Sequence, residues 1–311
     1  MSVHVVHGRK PGPTLFVSAA LHGDEVIGVE IVRRLLRVKN LNALRGTLIA
    51  VPIVNTFGFL NHSRYLPDRR DLNRTFPGSP KGSLAGRLAN LFMTEIVARS
   101  DAGIDLHSAA VHRTNMPQIR VSPRNASTMA LAEAFGAPII LTSKLRDGSL
   151  RQAANQRGVD VLVYEGGEGL RFDEHAVRAA VFGILRVMRK LGMVSAKGIT
   201  TPKTPSMRSS SSSWMRAPAG GLLRAFKATG DSVEQGDVLG IISDPFGEQE
   251  FEILASGDGV IVGRTNLPVV NEGDGLFHLA TVRAKDDAAA TLSDLETQLE
   301  EADLFDEDEI I

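Results

Sequence analysis

Thr14-Leu15-Phe16-Val17-Ser18-Ala19-Ala20-Leu21-His22-Gly23-Asp24-Glu25 runs from an apolar segment straight into a polar turn. Residues 14–20 have no helical period and carry Leu, Phe and Val between turn signals, which predicts a buried strand. From Glu25 to Val38 the pattern changes: Ile27, Ile31 and Leu35 share one face of a helix. Gly23 suits a tight turn, and Asp24 can cap the helix. A strand that passes directly into a helix is the unit of an α/β domain. His22 and Glu25 flank the crossing, three residues apart, so both side chains can converge beyond the strand end.

The same alternation continues outward. Residues 47–54, 103–106, 118–121, 138–142 and 160–164 read as strands. Residues 84–99 read as a helix, with Leu84, Leu88, Leu91 and Phe92 on one face, and Asp173 can N-cap another whose C-terminus suits Gly192. The expected fold class is α/β, with a mixed sheet flanked by helices over residues 1–195. Ligands in such sheets sit at the carboxyl ends of strands. Gly103-Ile104-Asp105-Leu106-His107-Ser108 ends one of them. Asp105 and His107 point the same way on it. His107 is therefore a third ligand beside His22 and Glu25, and Asp105 can hold a spare ring N–H. Two histidines and a glutamate make a catalytic zinc set with room for water. The strand Asp160–Tyr164 delivers Glu165 ahead of Gly166-Gly167 as a candidate base, with Glu168 as rival. Glu165 also suits a turn-capping role. The arginine-rich loop Arg64–Gly78 can offer a guanidinium fork to a carboxylate, although Arg74 can equally pair with Asp71.

Residues 196–213 are rich in Ser, Thr and Pro and read as a linker or mobile loop. Residues 214–283 turn to short hydrophobic runs separated by Gly-Asp turns. Gly221-Leu222-Leu223 followed by Gly236-Asp237 is echoed by Gly259-Val260-Ile261 followed by Gly273-Asp274. Two such units predict a smaller all-β domain with internal pseudo-symmetry. Residues 284–311 form an acidic tail, with Leu292, Leu295 and Leu299 as one face of a short helix.

The composition closes several doors. The 311 residues are 43% hydrophobic and 23% charged, an ordinary globular balance that suits two domains. No cysteine is present, which excludes disulfides, thiolate metal sites and cysteine nucleophiles. No apolar run reaches the length of a membrane span, and the start of the chain has no secretory pattern. A cytoplasmic protein without membrane contact is expected. The net charge of −1 combines a mildly basic body with a tail in which Asp286–Glu309 hold eleven acidic residues and no Lys or Arg. The basic residues are scattered without interleaved aromatics, so nucleic acid is not an expected partner. Homo-oligomerisation is left open.

HGDE at 22–25, RDLNRTFPG at 70–78, IDLHSA at 104–109 and YEGGE at 164–168, in this order, resemble the aspartoacylase and succinylglutamate desuccinylase family. The resemblance implies a zinc carboxypeptidase-like fold, extends to the C-terminal β-domain, and implies one zinc per chain on His22, Glu25 and His107. It implies that Glu165 activates water, that Asn73 and Arg74 grip a substrate carboxylate, and that Arg64 polarises the scissile carbonyl, with Arg69 and Arg70 as rivals. Arg151 or Arg157 corresponds to an arginine that contacts substrate in some members. The implied activity is hydrolysis of the amide of an N-acyl amino acid or related N-acyl amine, a small-molecule substrate with a carboxylate. The C-terminal tyrosine that some members place at the substrate is missing, since Tyr65 and Tyr164 both lie outside that domain. A zinc carboxypeptidase acting on peptides is the alternative; an open cleft would favour it, and one narrowed by the C-terminal domain would favour a deacylase. A non-catalytic carrier is a third reading. The β-domain resembles a biotinyl/lipoyl-type sandwich, but Ser243–Glu248 offers no lysine for attachment.

Overall fold

The computed structural model describes residues 1–282, apart from 123, 124 and 203, together with 297. The rest of the acidic tail, with its expected leucine face, lies outside the described residues.

The N-terminal strands are β1 (His4–His7), β2 (Lys10–Ala19), β3 (Arg45–Val51), β4 (Ala102–His107), β5 (Arg113–Val121), β6 (Ile139–Thr142) and β7 (Asp160–Glu168). Their main helices are α1 (Ile27–Leu35), α2 (Thr56–Leu60), α3 (Leu84–Glu95), α4 (Ala126–Phe135), α5 (Leu150–Asn155) and α6 (Glu174–Lys190). β2, β3, β4 and β7 run parallel in the order β3-β2-β4-β7, while β1 and β5 join antiparallel. The sheet is therefore mixed, as expected. Side chains alternate across it. Leu15, Val17 and Ala19 of β2 face a core shared with α1, α4 and α6. Phe16 faces the other way, against α3 and α5. Phe16 is fully buried and packs edge-on to Phe92 at 5.7 Å between ring centroids. Truncating a ring buried in this way costs about 3–5 kcal/mol.

Two helix starts differ in their chemistry. Asp173 caps α6 by accepting from the N–H of Ala176 at 3.0 Å, and Gly192 follows its end at φ 72°. Asp24 does not cap α1: the helix begins at Ile27, two residues later than a cap at Asp24 requires, and Val26 precedes it without a side-chain bond. The backbone between is used otherwise, with the Asp24 carbonyl accepting from Leu170 at 2.8 Å. Gly23 is needed for close approach, since a Cβ there would overlap the backbone of Gly58 and Phe59.

The C-terminal strands are β8 (Met207–Ser209), β9 (Ser212–Arg216), β10 (Gly221–Ala225), β11 (Ser232–Val233), β12 (Val238–Ser243), β13 (Glu250–Leu254), β14 (Gly259–Thr265), β15 (Val269–Val270) and β16 (Gly275–Ala280). β10 pairs β12 in a four-stranded sheet, and β14 pairs β16 in the large one, so the two halves of the sequence repeat lie in two layers. Leu223, Leu239, Ile242, Ile261 and Phe277 fill the core between them.

The large sheet runs on past the boundary expected near residue 195. β14 pairs β5 through Gly263↔Asn115, Arg264↔Thr114 and Thr265↔Arg113, giving the order β4-β7-β5-β14-β16-β9. The stretch 196–213, expected as a linker or mobile loop, is partly built into the sheet. β8 runs parallel to β6 with Ile139↔Met207 and Leu141↔Ser209, and β9 begins at Ser212. Met207 packs on a small core that includes Ile139 and Leu141, and Ser209 is buried. Low apolar content does not prevent a strand here, because backbone pairing and one methionine suffice to hold it.

Candidate active site

β2 and β4 are neighbours in register, Ala19 opposite Leu106, and both end at the same edge of the sheet. His22 and Glu25 follow the end of β2, and His107 is the last residue of β4. All three side chains are buried. Nδ1 of His22 lies 2.7 Å from Oε1 of Glu25, and Nδ1 of His107 lies 2.6 Å from Oε2. The three ligand atoms fall within 4.8 Å of one another, and among the described residues this is the one cluster of its kind. The second ring nitrogens are also held. Nε2 of His107 lies 2.7 Å from Asp105, and Nε2 of His22 lies 3.2 Å from Asp71. Asp105 takes a further bond from the Ser18 hydroxyl at 2.7 Å. Two imidazoles and a carboxylate, each imidazole backed by a second carboxylate, are a donor set that fits zinc.

The electrostatics agree with the geometry. Burial pushes the His107 imidazole down, but the Asp105 and Glu25 carboxylates outweigh it and hold its pKa well above the ordinary value. Burial would raise Glu25, but the His22 and His107 rings hold it well below the usual carboxylate range. The same balance, with Glu25 and Asp71 against burial, raises His22. The cluster thus stores negative charge that a cation, proton or metal, neutralises.

These residues line a cleft of about 330 Å³ that also takes in Arg64, Asn73, Arg74, Arg151 and Glu165. Arg64 bridges the cluster, with Nη1 3.2 Å from Glu25 and Nη2 3.1 Å from Asp71. Its rivals stand elsewhere: Arg69 is exposed, and Arg70 faces Asp68 at 3.8 Å. Among the described residues Arg74 makes no direct ion pair with Asp71, although its charge helps to hold the Asp71 carboxyl down. Its Nη1 donates to the Asn73 carbonyl at 2.6 Å, and Oδ1 of Asn73 accepts from the N–H of Leu150 at 2.9 Å. Arg151 reaches the cleft, whereas Arg157 donates to the carbonyl of Met93 and lies outside its lining.

Glu165 lies opposite His107 across the β4–β7 pair. It caps no turn. Asn115 Nδ2 donates to its Oε2 at 2.8 Å, and Arg120 Nε lies 3.1 Å from its Oε1. Glu168 does not line the cleft; it accepts from the His112 N–H at 3.1 Å and from Asn266 at 2.9 Å. His112 has φ 65°, is exposed, and does not line the cleft.

Sequence reasoning missed four contributors. Asn115 and Arg120 sit on β5 with a bulge between Asn115 and Gln118, so simple alternation does not place both on the face of Glu165. Arg113 and Trp214 also line the cleft. Asp71 was read only as a partner for Arg74, whereas it supports His22.

Residues 11–191 match the succinylglutamate desuccinylase/aspartoacylase catalytic domain. A curated relative, the N-alpha-acetyl-L-2,4-diaminobutyric acid deacetylase of Halomonas elongata, is 28% identical over 287 residues, which cover 88% of this chain and 84% of the relative. The crystal structure of the succinylglutamate desuccinylase/aspartoacylase from Rhodobacter sphaeroides aligns with a TM-score of 0.80 at 26% identity, covering 90% of this chain and 89% of that one. The product-bound ectoine utilization protein EutE (DoeB) of Ruegeria pomeroyi shares the fold, with a TM-score of 0.81 at 24% identity over 90% of this chain and 88% of its own.

Proposed function

The chain belongs to the succinylglutamate desuccinylase/aspartoacylase family, and from that premise we propose that it is a zinc-dependent deacylase of N-acyl amino acids or related N-acyl amines. The observation that carries the reading is the buried His22–Glu25–His107 cluster in a cleft that also takes in Glu165, the strand neighbour of His107, and several cationic side chains. Arg74, Arg113, Lys144, Arg146 and Arg151 line that cleft and make no ion pair among the described residues. A site with this charge is suited to a substrate bearing a carboxylate.

His22, Glu25 and His107 would hold the zinc, which when bound supplies Lewis-acid polarisation and acidifies water. The protein's own groups do the rest. Glu165 accepts the proton from the attacking water and returns it to the leaving nitrogen. Arg64, anchored by Glu25 and Asp71, is placed to stabilise charge that develops on the acyl oxygen. Asn73 and Arg74 orient the substrate carboxylate, with Arg151 as a second anchor.

The alternative of a carboxypeptidase would leave the cleft open. Trp214 of β9 instead lines it, brought there by the pairing of β14 with β5. This narrowing favours a small acyl substrate over a peptide. The named activity of the Halomonas relative supports the same class of reaction. With no helix among the described residues long and apolar enough to cross a membrane, a cytoplasmic setting remains part of the proposal.

The test is amine release from a panel of N-acyl amino acids and N-acyl diamines, with the zinc-loaded protein and with the same protein after chelation. Turnover that needs zinc and a substrate carboxylate is the expected result. Release of C-terminal residues from peptides, with none from acyl amino acids, would overturn it.

A further inference from the structure

Trp214 is the one tryptophan of the chain, and it stands in the wall of the catalytic cleft. It arrives there from the C-terminal strands, beyond β7 and β5 in the order β4-β7-β5-β14-β16-β9. Asn73 and Arg74 belong to a different part of the wall, the loop that is bonded to the start of α5 at Leu150. The wall of the cleft thus comes from two parts of the chain, the Asn73–Arg74 loop and the C-terminal strand that carries Trp214 with Arg113 against its indole.

The indole is held in place by its surroundings. The His278 ring stacks on it at 4.9 Å between centroids, with an interplanar angle of 6°. The guanidinium carbon of Arg113 lies 5.1 Å from its centroid. Gly275 runs beneath it so closely that a Cβ there would stand 3.0 Å from Cε3. His278 is itself buried and fixed by Ser212 Oγ, 2.9 Å from its Nε2. Burial, with the nearby Arg120 charge, holds the His278 pKa down at about 4, so the stacked ring is neutral near pH 7. An aromatic side chain clamped by a ring, a guanidinium and a backbone cannot swing aside, and a rigid wall selects by size.

We propose that Trp214 is a specificity-determining residue that limits the length of the acyl group, at the end of the substrate away from the carboxylate held by Asn73 and Arg74. The inference rests on the deacylase reading and adds to it the side chain that bounds the acyl end. A hydrophobic wall typically separates neighbours in an alkyl series by about 10-fold or more per methylene. Removing the indole should therefore relax the limit where it acts.

The experiment uses the zinc-loaded full chain and the series N-acetyl-, N-butyryl- and N-hexanoyl-L-aspartate, with kcat/KM from amine release, and with dissociation constants from calorimetry and emission titrations in the zinc-loaded Glu165→Gln background, where turnover is suppressed. Because Trp214 is the sole tryptophan, its emission reports directly on the same site. With Trp214 in place, the emission should change saturably with N-acetyl-L-aspartate. Trp214→Ala should raise the hexanoyl-to-acetyl ratio, in both affinity and kcat/KM, by about 10-fold or more. Trp214→Phe should restore the wild-type order. Saturable emission change and the altered affinity ratio without amine release would fail the deacylase reading while upholding the wall. Emission unchanged across the series, or an equal loss for every chain length in Trp214→Ala, would overturn the proposal. A Trp214→Ala protein that does not fold leaves the emission titration and the Phe and Leu variants to decide, and Trp214→Leu with wild-type ratios would again overturn it.

Discussion

Oδ2 of Asp105 lies 2.7 Å from Nε2 of His107, and Oδ1 of the same carboxylate takes the Ser18 hydroxyl at 2.7 Å. This buried chain fixes the ring so that Nδ1 faces Glu25. Both anchors come from the centre of the sheet, β2 and β4, paired as Ser18↔Asp105. A partner behind a ligand of this kind is commonly worth about 10–100-fold in metal affinity. Asp105→Asn should therefore weaken zinc binding by about that factor in a chelator competition, with Ser18→Ala a smaller loss in the same direction. Unchanged affinity in Asp105→Asn would mean that the charge of Asp105 does not support His107 as a ligand.

The ligands themselves should show larger effects. The zinc-loaded protein should contain about one metal per chain, as a single two-histidine, one-glutamate site implies. His22→Ala and His107→Ala should each lose it, measured by metal analysis after dialysis. Full occupancy in His107→Ala would remove that residue from the set.

Glu165 and Glu168 can now be separated by their partners. Glu165 faces the cleft beside His107, whereas Glu168 is tied to His112 and Asn266 outside it. Glu165→Gln keeps the shape and removes the proton acceptor. It should lower kcat by about 10²-fold or more with zinc content unchanged. Glu168→Gln should retain most of the activity. The opposite pattern would move the base, and loss of zinc in Glu165→Gln would make that residue a ligand.

That His22, Glu25 and His107 come together was legible because His22 and Glu25 span one strand-to-helix turn and His107 ends a neighbouring strand, so local spacing carries the geometry. The central strands and the helices α1, α3 and α6 were legible from their own periodicity, whereas α2, α4, α5 and the first half of β5 were not. What the sequence hid depends on pairing between distant segments. Arg113 and Trp214 meet only because β14 joins β5 and β16 joins β9. Residues 207–209 lack the apolar pattern of a strand, yet they pair with β6. Gly23 sits in the turn that the sequence predicts, and it also lets the backbone of Gly58 pass close by, a contact that no local pattern announces.

Substrate charge gives a further test. Arg74 and Arg151 line the cleft without an ion pair among the described residues, and Arg157 does not line it. Burial and the charges of Arg120 and Arg146 press the Arg151 pKa down to about 10, so an anion placed there would be welcomed. Arg74→Ala and Arg151→Ala should raise KM for dicarboxylate acyl amino acids, each by about 10-fold or more as expected for a charge-assisted bond of ~1.5–3 kcal/mol. Arg157→Ala should leave KM within about 2-fold, since the exposed Arg157 side chain is turned to the Met93 carbonyl outside the cleft and typical surface changes are small. Equal KM in wild type and Arg151→Ala would assign the second anchor elsewhere.

The buried imidazole of His278 makes the stability of the β-layers depend on pH. Burial, aided by the Arg120 charge, lowers its pKa from 6.5 to about 4 in the folded protein. In the unfolded chain the ring takes up a proton as pH falls through about 6.5, while in the folded protein it stays neutral until about 4. Between these values the unfolded state binds more protons, so folding stability falls as the pH is lowered. The slope is at most about 1.4 kcal/mol per pH unit, and the total loss across the window is about 3 kcal/mol. His278→Phe keeps a ring to stack on Trp214 and cannot titrate, although it gives up the bond to Ser212. Its stability at pH 7 should be somewhat lower than that of the wild type, and its decline from pH 6.5 to 4.5 should be shallower. Urea unfolding of both proteins at several pH values, with chelator present so that metal binding does not contribute, reads the difference directly. Parallel pH dependences would show that His278 titrates in the folded protein much as it does in the unfolded chain, and would remove the neutral ring from beneath the indole.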